Sequence, residues 1–282
     1  MKFLVIGDLH GQMPLIPDVE FDAIIVPGDV CSDKGIKPLM LEAVRARSEG
    51  EEFLDWWDMV SEDEANVLLD DSLAAGRRVL ELLDSLGVPV YAIPGNWDWT
   101  GYEEVSWSRL EKNLWEQEVV SNLTNVIDCD TALVELEGFS LIGYGRVNGP
   151  EKIDSRGYAD VSVEEQKDSE LDYEELLNMY SMMFEEAESP VVFLAHNVPY
   201  GTSIDTIEDE NNPMDGMHYG SNLVRELVEK YQPLISIGGH IHEHYGTDMI
   251  GDTVCLNAGF GHDKSSLVEI VDGKVSVELL RS

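Results

Sequence analysis

The sequence predicts an α/β fold, and three observations carry that reading. Short apolar runs at residues 3–6, 21–26 and 88–93 are interleaved with a longer pattern at helical spacing, which is the grammar of βαβ units and a parallel sheet. These runs stop at Gly7-Asp8, Gly28-Asp29 and Gly95-Asn96, so a carboxylate or amide stands at the same structural point three times. Open α/β sheets build their sites at the carboxyl ends of strands. Near the other end of the chain, Gly251-Asp252 and Asp272-Gly273 each separate two strand-like runs by two residues, which predicts two closing hairpins.

Taken in order, residues 2–11 read KFLVIGDLHG. The apolar run reads as a strand buried on both faces, and Asp8 and His10 leave its end together. Alone this motif reads more readily as a turn with a solvated Asp and a hydrogen-bonded His than as a site; its recurrence gives it weight. Residues 12–20 are too few for much of a helix. Residues 36–48 and 68–86 read as helices, the second with Leu69, Leu73, Val79, Leu80, Leu82, Leu83 and Leu86 near helical spacing and Gly87 as its stop. Between them, residues 49–64 are acidic and carry Trp56 and Trp57, which reads as an insertion packing its tryptophans on the body, or as a lid, with packing favoured. The strand at 88–93 then ends in Pro94-Gly95-Asn96-Trp97-Asp98.

Shorter strands follow at 131–136 and 139–142, then a glycine-containing loop at 143–149 whose Arg146 could reach an anionic substrate or make a surface ion pair. The acidic stretch 154–188 ends in a helix expected over 172–187, with Met179, Met182, Met183 and Phe184 as a core stripe. A buried strand at 191–194 precedes His196, and an irregular polar segment at 205–220 contains His218. A helix is expected over 222–230, a strand over 234–237 running into Gly238-Gly239-His240-Ile241-His242, and hairpin strands at 245–250, 253–257, 266–271 and 274–279. No repeat or linker divides the chain, so one domain over 1–282 is expected, with acidic insertions near 49–64 and 154–188.

Composition narrows the class. With 18 basic and 56 acidic side chains the net charge is −38. Self-repulsion of that size weakens a compact fold in dilute buffer, whereas a Debye length of about 3 Å at 1 M salt removes most of it. The carboxylates spread along the whole chain, so adaptation to a saline cytosol is expected rather than one acidic docking patch. Neither a signal-like N-terminus nor an apolar run near the roughly 18 residues of a membrane span is present, which predicts a soluble, cytoplasmic protein without a membrane partner. Cys31, Cys129 and Cys255 lack metal-like spacing and read as small buried hydrophobes.

The strand ends together offer Asp8, His10, Asp29, Asn96, His196, His240 and His242. Imidazoles with carboxylates and one amide oxygen suit Mn, Fe, Zn or Co better than Ca. Seven ligands exceed the need of one ion and suit two divalent ions sharing a carboxylate. With one residue between them, His240 and His242 are expected on the same side of an extended segment.

The order Asp8-x-His10, Gly28-Asp29, Gly95-Asn96-x-Asp98, His196 and Gly239-His240-x-His242 resembles the calcineurin-like metallophosphoesterase family across residues 8–242. The resemblance implies a four-layer α/β/β/α sandwich of two mixed sheets with flanking helices. It also implies that Asp8, His10, His242 and Asp29 hold one metal, and Asn96, His196, His240 and Asp29 the other. Asp98 occupies the motif's acidic place, where it is expected to orient a ligand histidine. One departure stands out: Trp97 replaces the histidine that most members place after Gly-Asn, and indole is neither an acid nor a base at neutral pH. Resemblance to members lacking that histidine favours phosphodiesterase over monoesterase action. Trp97 and Trp99 could wall a leaving group or simply pack.

The mechanism implied is in-line attack at phosphorus by a metal-bridging hydroxide, with Asp29, His196 and Asn96 in the catalytic centre and Asn96 stabilising charge on the phosphoryl oxygens. His218, His244 and His262 are candidates to protonate the leaving group, with a plain surface or core histidine the favoured reading of each. A small phosphodiester or nucleotide-type ester is the expected substrate, since long nucleic acid calls for Lys and Arg stripes that this chain lacks. The rival reading is a non-catalytic scaffold on the same fold, and its mark, loss of ligand residues, is not seen. The sequence does not identify an oligomeric partner.

Overall fold

A computed structural model describes residues 1–48, 54–101, 106–146, 163–208 and 215–281. Among them the strands form two six-stranded mixed sheets. The first runs β12 (Lys274–Arg281), β11 (Lys264–Val271), β1 (Lys2–Val5), β2 (Ala23–Val26), β3 (Val90–Ala92), β4 (Val126–Asp128). The second runs β5 (Leu133–Leu136), β6 (Phe139–Tyr144), β7 (Val191–Asn197), β8 (Ile235–Gly239), β10 (Thr253–Asn257), β9 (Gly246–Ile250). β1 through β4 pair in parallel, as do β6 with β7 and β7 with β8, while both expected hairpins are antiparallel.

Alternation of side chains along each strand divides these sheets between separate apolar layers. Phe3 and Val5 of β1, with Ala23 and Ile25 of β2, face Leu141, Val192, Leu194, Ile235 and Ile237 of the second sheet. Leu4, Ile24 and Val26 point the other way, onto α2 (Glu62–Asp84) through Leu69, Leu73, Val79, Leu80 and Leu83. Phe193 and Ala195 of β7 pack outward on α3 (Val163–Glu186) and α4 (Asn222–Tyr231). Three apolar layers between four structural ones are the α/β/β/α sandwich.

Several elements depart from the expected bounds, each for a local reason. α2 begins at Glu62 rather than 68 because Ser61 caps it, accepting from the Glu64 N–H at 3.3 Å, and its acidic first turn suits the helix dipole. What read as the tail of an acidic insertion is therefore helix. Trp56 lies buried under α2 in a short 3-10 turn, Trp56–Met59, so packing rather than a lid describes it; residues 49–53 lie outside the described set. α3 begins at Val163, while residues 147–162, and with them parts of the expected loop and acidic insertion, are also outside it. Its core stripe is Tyr173, Tyr180 and Phe184 with Met179 and Met183 alongside; Met182 is 59% exposed and does not belong to it. β7 continues through Asn197, which puts His196 inside the strand. The three cysteines are free and buried, and among the described residues no helix is long and apolar enough to cross a membrane.

α2 also sets the height of the strand-end loops. Gly76 presses against the residue after Val30: a Cβ there would meet Cys31 Sγ at 2.5 Å and its Cα at 3.0 Å. Gly76→Ala is expected to cost about 1–3 kcal/mol through overpacking, read as a lowered urea midpoint.

Candidate metal centre

Seven side chains meet where the two sheets end side by side. Asp8 and His10 follow β1, Asp29 follows β2, Asn96 follows β3, His196 lies in β7, and His240 and His242 follow β8. Hydrogen bonds extend the strand ladder into the loops: Asp8 N–H to Gly28 O at 3.2 Å, His10 N–H to Asp29 O at 2.9 Å, Gly11 N–H to Val30 O at 2.8 Å. Asp8, His10, Asp29 and His240 all adopt left-handed backbone, φ between 45° and 67°. Such conformations are uncommon for non-glycine residues and cluster at functional sites.

The side chains fall into two groups. Asp8, His10, Asp29 and His242 place one potential ligand atom each within 4.8 Å of one another; Asp29, His196 and His240 do the same. Asp29 belongs to both. His10 Nε2 and His196 Nε2 approach its Oδ2 at 3.5 and 3.4 Å from the two sides. Asn96 Oδ1 lies 3.0 Å from His240 Nδ1 and 3.3 Å from His196 Nε2, completing the second group. His242 Nε2 sits 3.7 Å from Asp8 Oδ1 and 3.3 Å from His10 Nε2. The residues fit a pair of divalent cations on observations of their own: Asp8 Oδ2 is buried without a hydrogen-bond partner, and the Nε2 atoms of His10 and His242 converge to 3.3 Å beside it, where both can turn a lone pair to one ion.

His240 and His242 do not lie on one side of an extended segment. The chain turns at His240, φ 67°, and sends one imidazole to each group. Its backbone N–H donates to Asp8 Oδ1 at 2.9 Å, so the second sheet's loop also holds a ligand of the first. His196 Nδ1 donates to Pro27 O at 2.6 Å, which aims Nε2 at Asp29. The motif glycines follow from crowding: a Cβ on Gly239 would overlap Asp8 Oδ2, one on Gly95 would meet His196 Cε1 at 2.6 Å, and one on Gly28 would meet His196 Nδ1 at 2.5 Å.

Asp98 acts differently from the expectation. Among the described residues it orients no histidine. Its carboxylate accepts from the backbone N–H groups of Cys31 at 2.8 Å, Gly95 at 2.8 Å and Val30 at 3.1 Å, clamping the Asp29 and Asn96 loops together. Burial and the neighbouring Asp29 push its carboxyl up to about 7, against the pull of those donors. Trp97 is 8% exposed and packs edge-on against Trp99 and His10, so packing is its visible role; its backbone N–H donates to Asp29 Oδ1 at 2.8 Å. Arg146 is half-buried, and among the described residues no carboxylate pairs with it. His218 is held by buried Asp205 at 2.6 Å, His244 lies 3.7 Å from Glu208, and His262 lies 3.0 Å from Gln12.

Two residues near the centre carried no sequence signal. Asp33 places Oδ2 3.5 Å from His10 Nδ1, behind the ring, and Phe260 stacks on His242 with centroids 4.3 Å apart. Asp33 stands in no recognisable motif, and Phe260 lies beyond the last one, on a turn that only the folded chain brings back.

A family model described as calcineurin-like phosphoesterase matches residues 1–244. The chain belongs to the calcineurin-like phosphoesterase family. A curated relative, the uncharacterized protein MJ1162 of Methanocaldococcus jannaschii, is 23% identical over 266 residues, covering 91% of this chain and 87% of its own. One crystal structure aligns over 99% of this chain and 98% of its own at a TM-score of 0.63 and 18% identity. A dimetal phosphatase from Danio rerio aligns over 99% and 96% at a TM-score of 0.50 and 12% identity. These structural likenesses show the fold. For this calcineurin-like phosphoesterase, membership supports metal-dependent phosphoester hydrolysis, and the two ligand groups sharing Asp29 suit a dinuclear centre.

Without metal the ligands differ in protonation. Burial pushes His10 down despite Asp29 and Asp8, and burial with His196 pushes His240 down to about 3, so both are neutral and ready to bind. Burial works against the charge on Asp29 and His196 alike, but each favours the other's ionised form: Asp29 is held below the ordinary carboxylate range and His196 is raised to about 9. At pH 7 an ion entering the second group must therefore displace a proton from His196. Loading is expected to release about one proton from this pair and to strengthen as pH rises toward 9. Calorimetry in buffers of different ionisation heat checks this; heats independent of buffer would contradict it.

Proposed function

We propose that this chain is a dinuclear-metal phosphoesterase that hydrolyses a small phosphodiester or nucleotide-type phosphate ester. The observation that carries the reading is the single buried carboxylate of Asp29 shared by two ligand groups. Asp8, His10, Asp29 and His242 would hold one ion, and Asp29, Asn96, His196 and His240 the other. When bound, such ions supply Lewis acidity and lower the pKa of water, and Mn, Fe, Zn or Co suits the donor set.

The chain's own residues have defined parts. Two divalent charges against Asp8 and Asp29 leave about +2 by formal counting, which attracts a phosphate ester locally despite the acidic surface. Asn96, clamped through the Asp98 network, offers an amide beside the space where phosphoryl oxygens would sit. His196, tied to Pro27 O, would stay neutral once loaded and keep Asp29 in register. Trp97 supplies no proton, so esters whose leaving groups need little protonation are favoured, which supports diesters and activated esters over ordinary monoesters. Arg146, two residues beyond β6, is proposed to meet a substrate's second anionic group. The high acidic content supports function in a saline cytosol, as one domain over 1–282, with long nucleic acid disfavoured as a partner.

Asp29→Ala is expected to lose both ions and hydrolysis together, measured by metal analysis and a panel of mono- and diesters. Wild-type activity and melting temperature should both rise between dilute buffer and about 1 M KCl as charge is screened. Wild-type protein that carries two ions yet cleaves no member of the panel at either salt would refute the enzyme reading. Trp97→His is expected to raise turnover of esters with poor leaving groups by up to about 10²-fold while changing p-nitrophenyl esters little. An equal effect on both classes would argue against a missing proton donor.

A further inference from the structure

The four side chains of the Asp8–His10–Asp29–His242 group differ in how firmly the protein holds them. Asp8, His10 and Asp29 are buried and continue strand hydrogen bonding, whereas His242 sits on a turn with its side chain 27% exposed. A ligand histidine ordinarily has its second ring nitrogen held by a carboxylate or carbonyl. Among the described residues, His242 has no such bond. A ring face takes that place. Phe260 stacks on the His242 imidazole, centroids 4.3 Å apart and planes 21° apart, and meets His10 edge-on at 5.3 Å; His10 and His242 themselves cross at 5.0 Å. Three rings in mutual contact leave His242 little room to swing away from Asp8.

The turn that presents Phe260 is built for that placement. Gly259 and Gly261 flank it at φ +73° and +99°, a left-handed pair that reverses the chain tightly around one side chain. Gly259 N–H donates to Asn257 Oδ1 at 2.9 Å, Gly261 N–H donates to Asp8 O at 3.2 Å, and Lys264 Nζ donates to Phe260 O at 2.7 Å. The buried Asn257 also donates from Nδ2 to Ile241 O at 2.9 Å, one residue from His242. One amide thus ties the Phe260 turn to the His242 turn, and one backbone bond ties it to Asp8.

We propose that Phe260 is the positioning residue of the Asp8–His10–Asp29–His242 group, holding His242 in the binding geometry before any ion arrives. This rests on the dinuclear reading above. Preorganisation of this kind acts on one ion only, because His196 and His240 are held by other contacts. The test uses the full chain with Phe260→Leu, which keeps apolar volume without a ring, Phe260→Tyr, which keeps the ring, and Phe260→Ala. Mn²⁺ binding is followed by calorimetry, and imidazole proton shifts are recorded in metal-free protein. Phe260→Leu and Phe260→Ala should weaken one of two binding steps by about 10–100-fold, with the other step unchanged and Phe260→Tyr near wild type. The His242 ring protons should lose their upfield ring-current shift in Phe260→Leu and Phe260→Ala and keep it in Phe260→Tyr. If Phe260→Ala does not fold, the Leu and Tyr variants decide. Wild-type affinity for both ions in Phe260→Leu, or equal weakening of both steps, would overturn the proposal. A wild-type chain binding fewer than two ions would instead overturn the dinuclear reading; the metal-free spectra then judge Phe260 alone, and an unmoved His242 signal in Phe260→Leu rejects it.

Discussion

One carboxylate has to face two ligand groups at once, and the surrounding structure is arranged to let it. Asp29 is fully buried, and an ionised carboxylate there is costly unless its oxygens are met. Its Oδ1 accepts the Trp97 N–H and its Oδ2 faces His10 and His196. Its backbone is in turn fixed by Asp98, whose three bonds to N–H groups bridge the loops after β2 and β3. Such bonds are worth roughly 0.5–1.5 kcal/mol each, and more to the extent that the carboxyl is ionised. The clamp thereby offsets left-handed backbone at Asp29 and keeps Asn96 beside it. The packing of Gly76 on Cys31 closes the same loop from beneath.

Neither sheet contains a complete site. The first contributes Asp8, His10, Asp29 and Asn96, the second His196, His240 and His242, and both groups draw on both sheets. The apolar layer between the sheets therefore sets the ligand spacing as well as contributing burial. Two cross-sheet hydrogen bonds, His196 to Pro27 O and His240 N–H to Asp8 Oδ1, fix the sliding of one sheet over the other at the point where sliding would matter most. An α/β architecture with its strand ends in register is, for this chain, a device for bringing distant donors to hydrogen-bond distance.

Much of this was legible in the sequence because strands write their ends clearly: an apolar run, a glycine, then a polar residue. The seven side chains that gather at the strand ends and their order could be read before any coordinate, with family resemblance supplying their division into two groups. The glycines of the motifs were visible as well, though the reason for them, crowding by Asp8, Asp29 and His196, was not. What sequence reasoning got wrong depended on backbone direction. Period-two logic put His240 and His242 on one side, but a left-handed residue breaks that period. Asp98 looked like a histidine's partner because nearby carboxylates often are, whereas its bonds run to backbone N–H groups, which leave no mark in side-chain identity. Phe260 was invisible for a third reason: a ring that stacks on a ligand has the same letter as one that fills a core. Met182 failed similarly, since one helix face and its neighbour differ by a rotation that four adjacent apolar residues do not determine.

The charge balance acts on fold and site together. Eighteen basic against fifty-six acidic side chains leave a net charge of −38 that no arrangement of ion pairs removes. The pairs that form, such as Arg77 with Glu81 and Arg225 with Glu229, are exposed, and such pairs are worth about 0–1 kcal/mol. They are too few and too weak to cancel the repulsion, which leaves solvent ions to screen it. The same field draws divalent cations toward the protein and holds anionic esters away from it, and both effects reach only as far as the Debye length, about 10 Å at 0.1 M salt and 3 Å at 1 M. The ligands of the centre lie within a few ångströms of one another and mostly out of solvent, where screening is weak. Salt would therefore remove the long-range repulsion of a phosphate ester while sparing the short-range attraction that would hold it, so an acidic surface is compatible with the anionic substrate proposed for it.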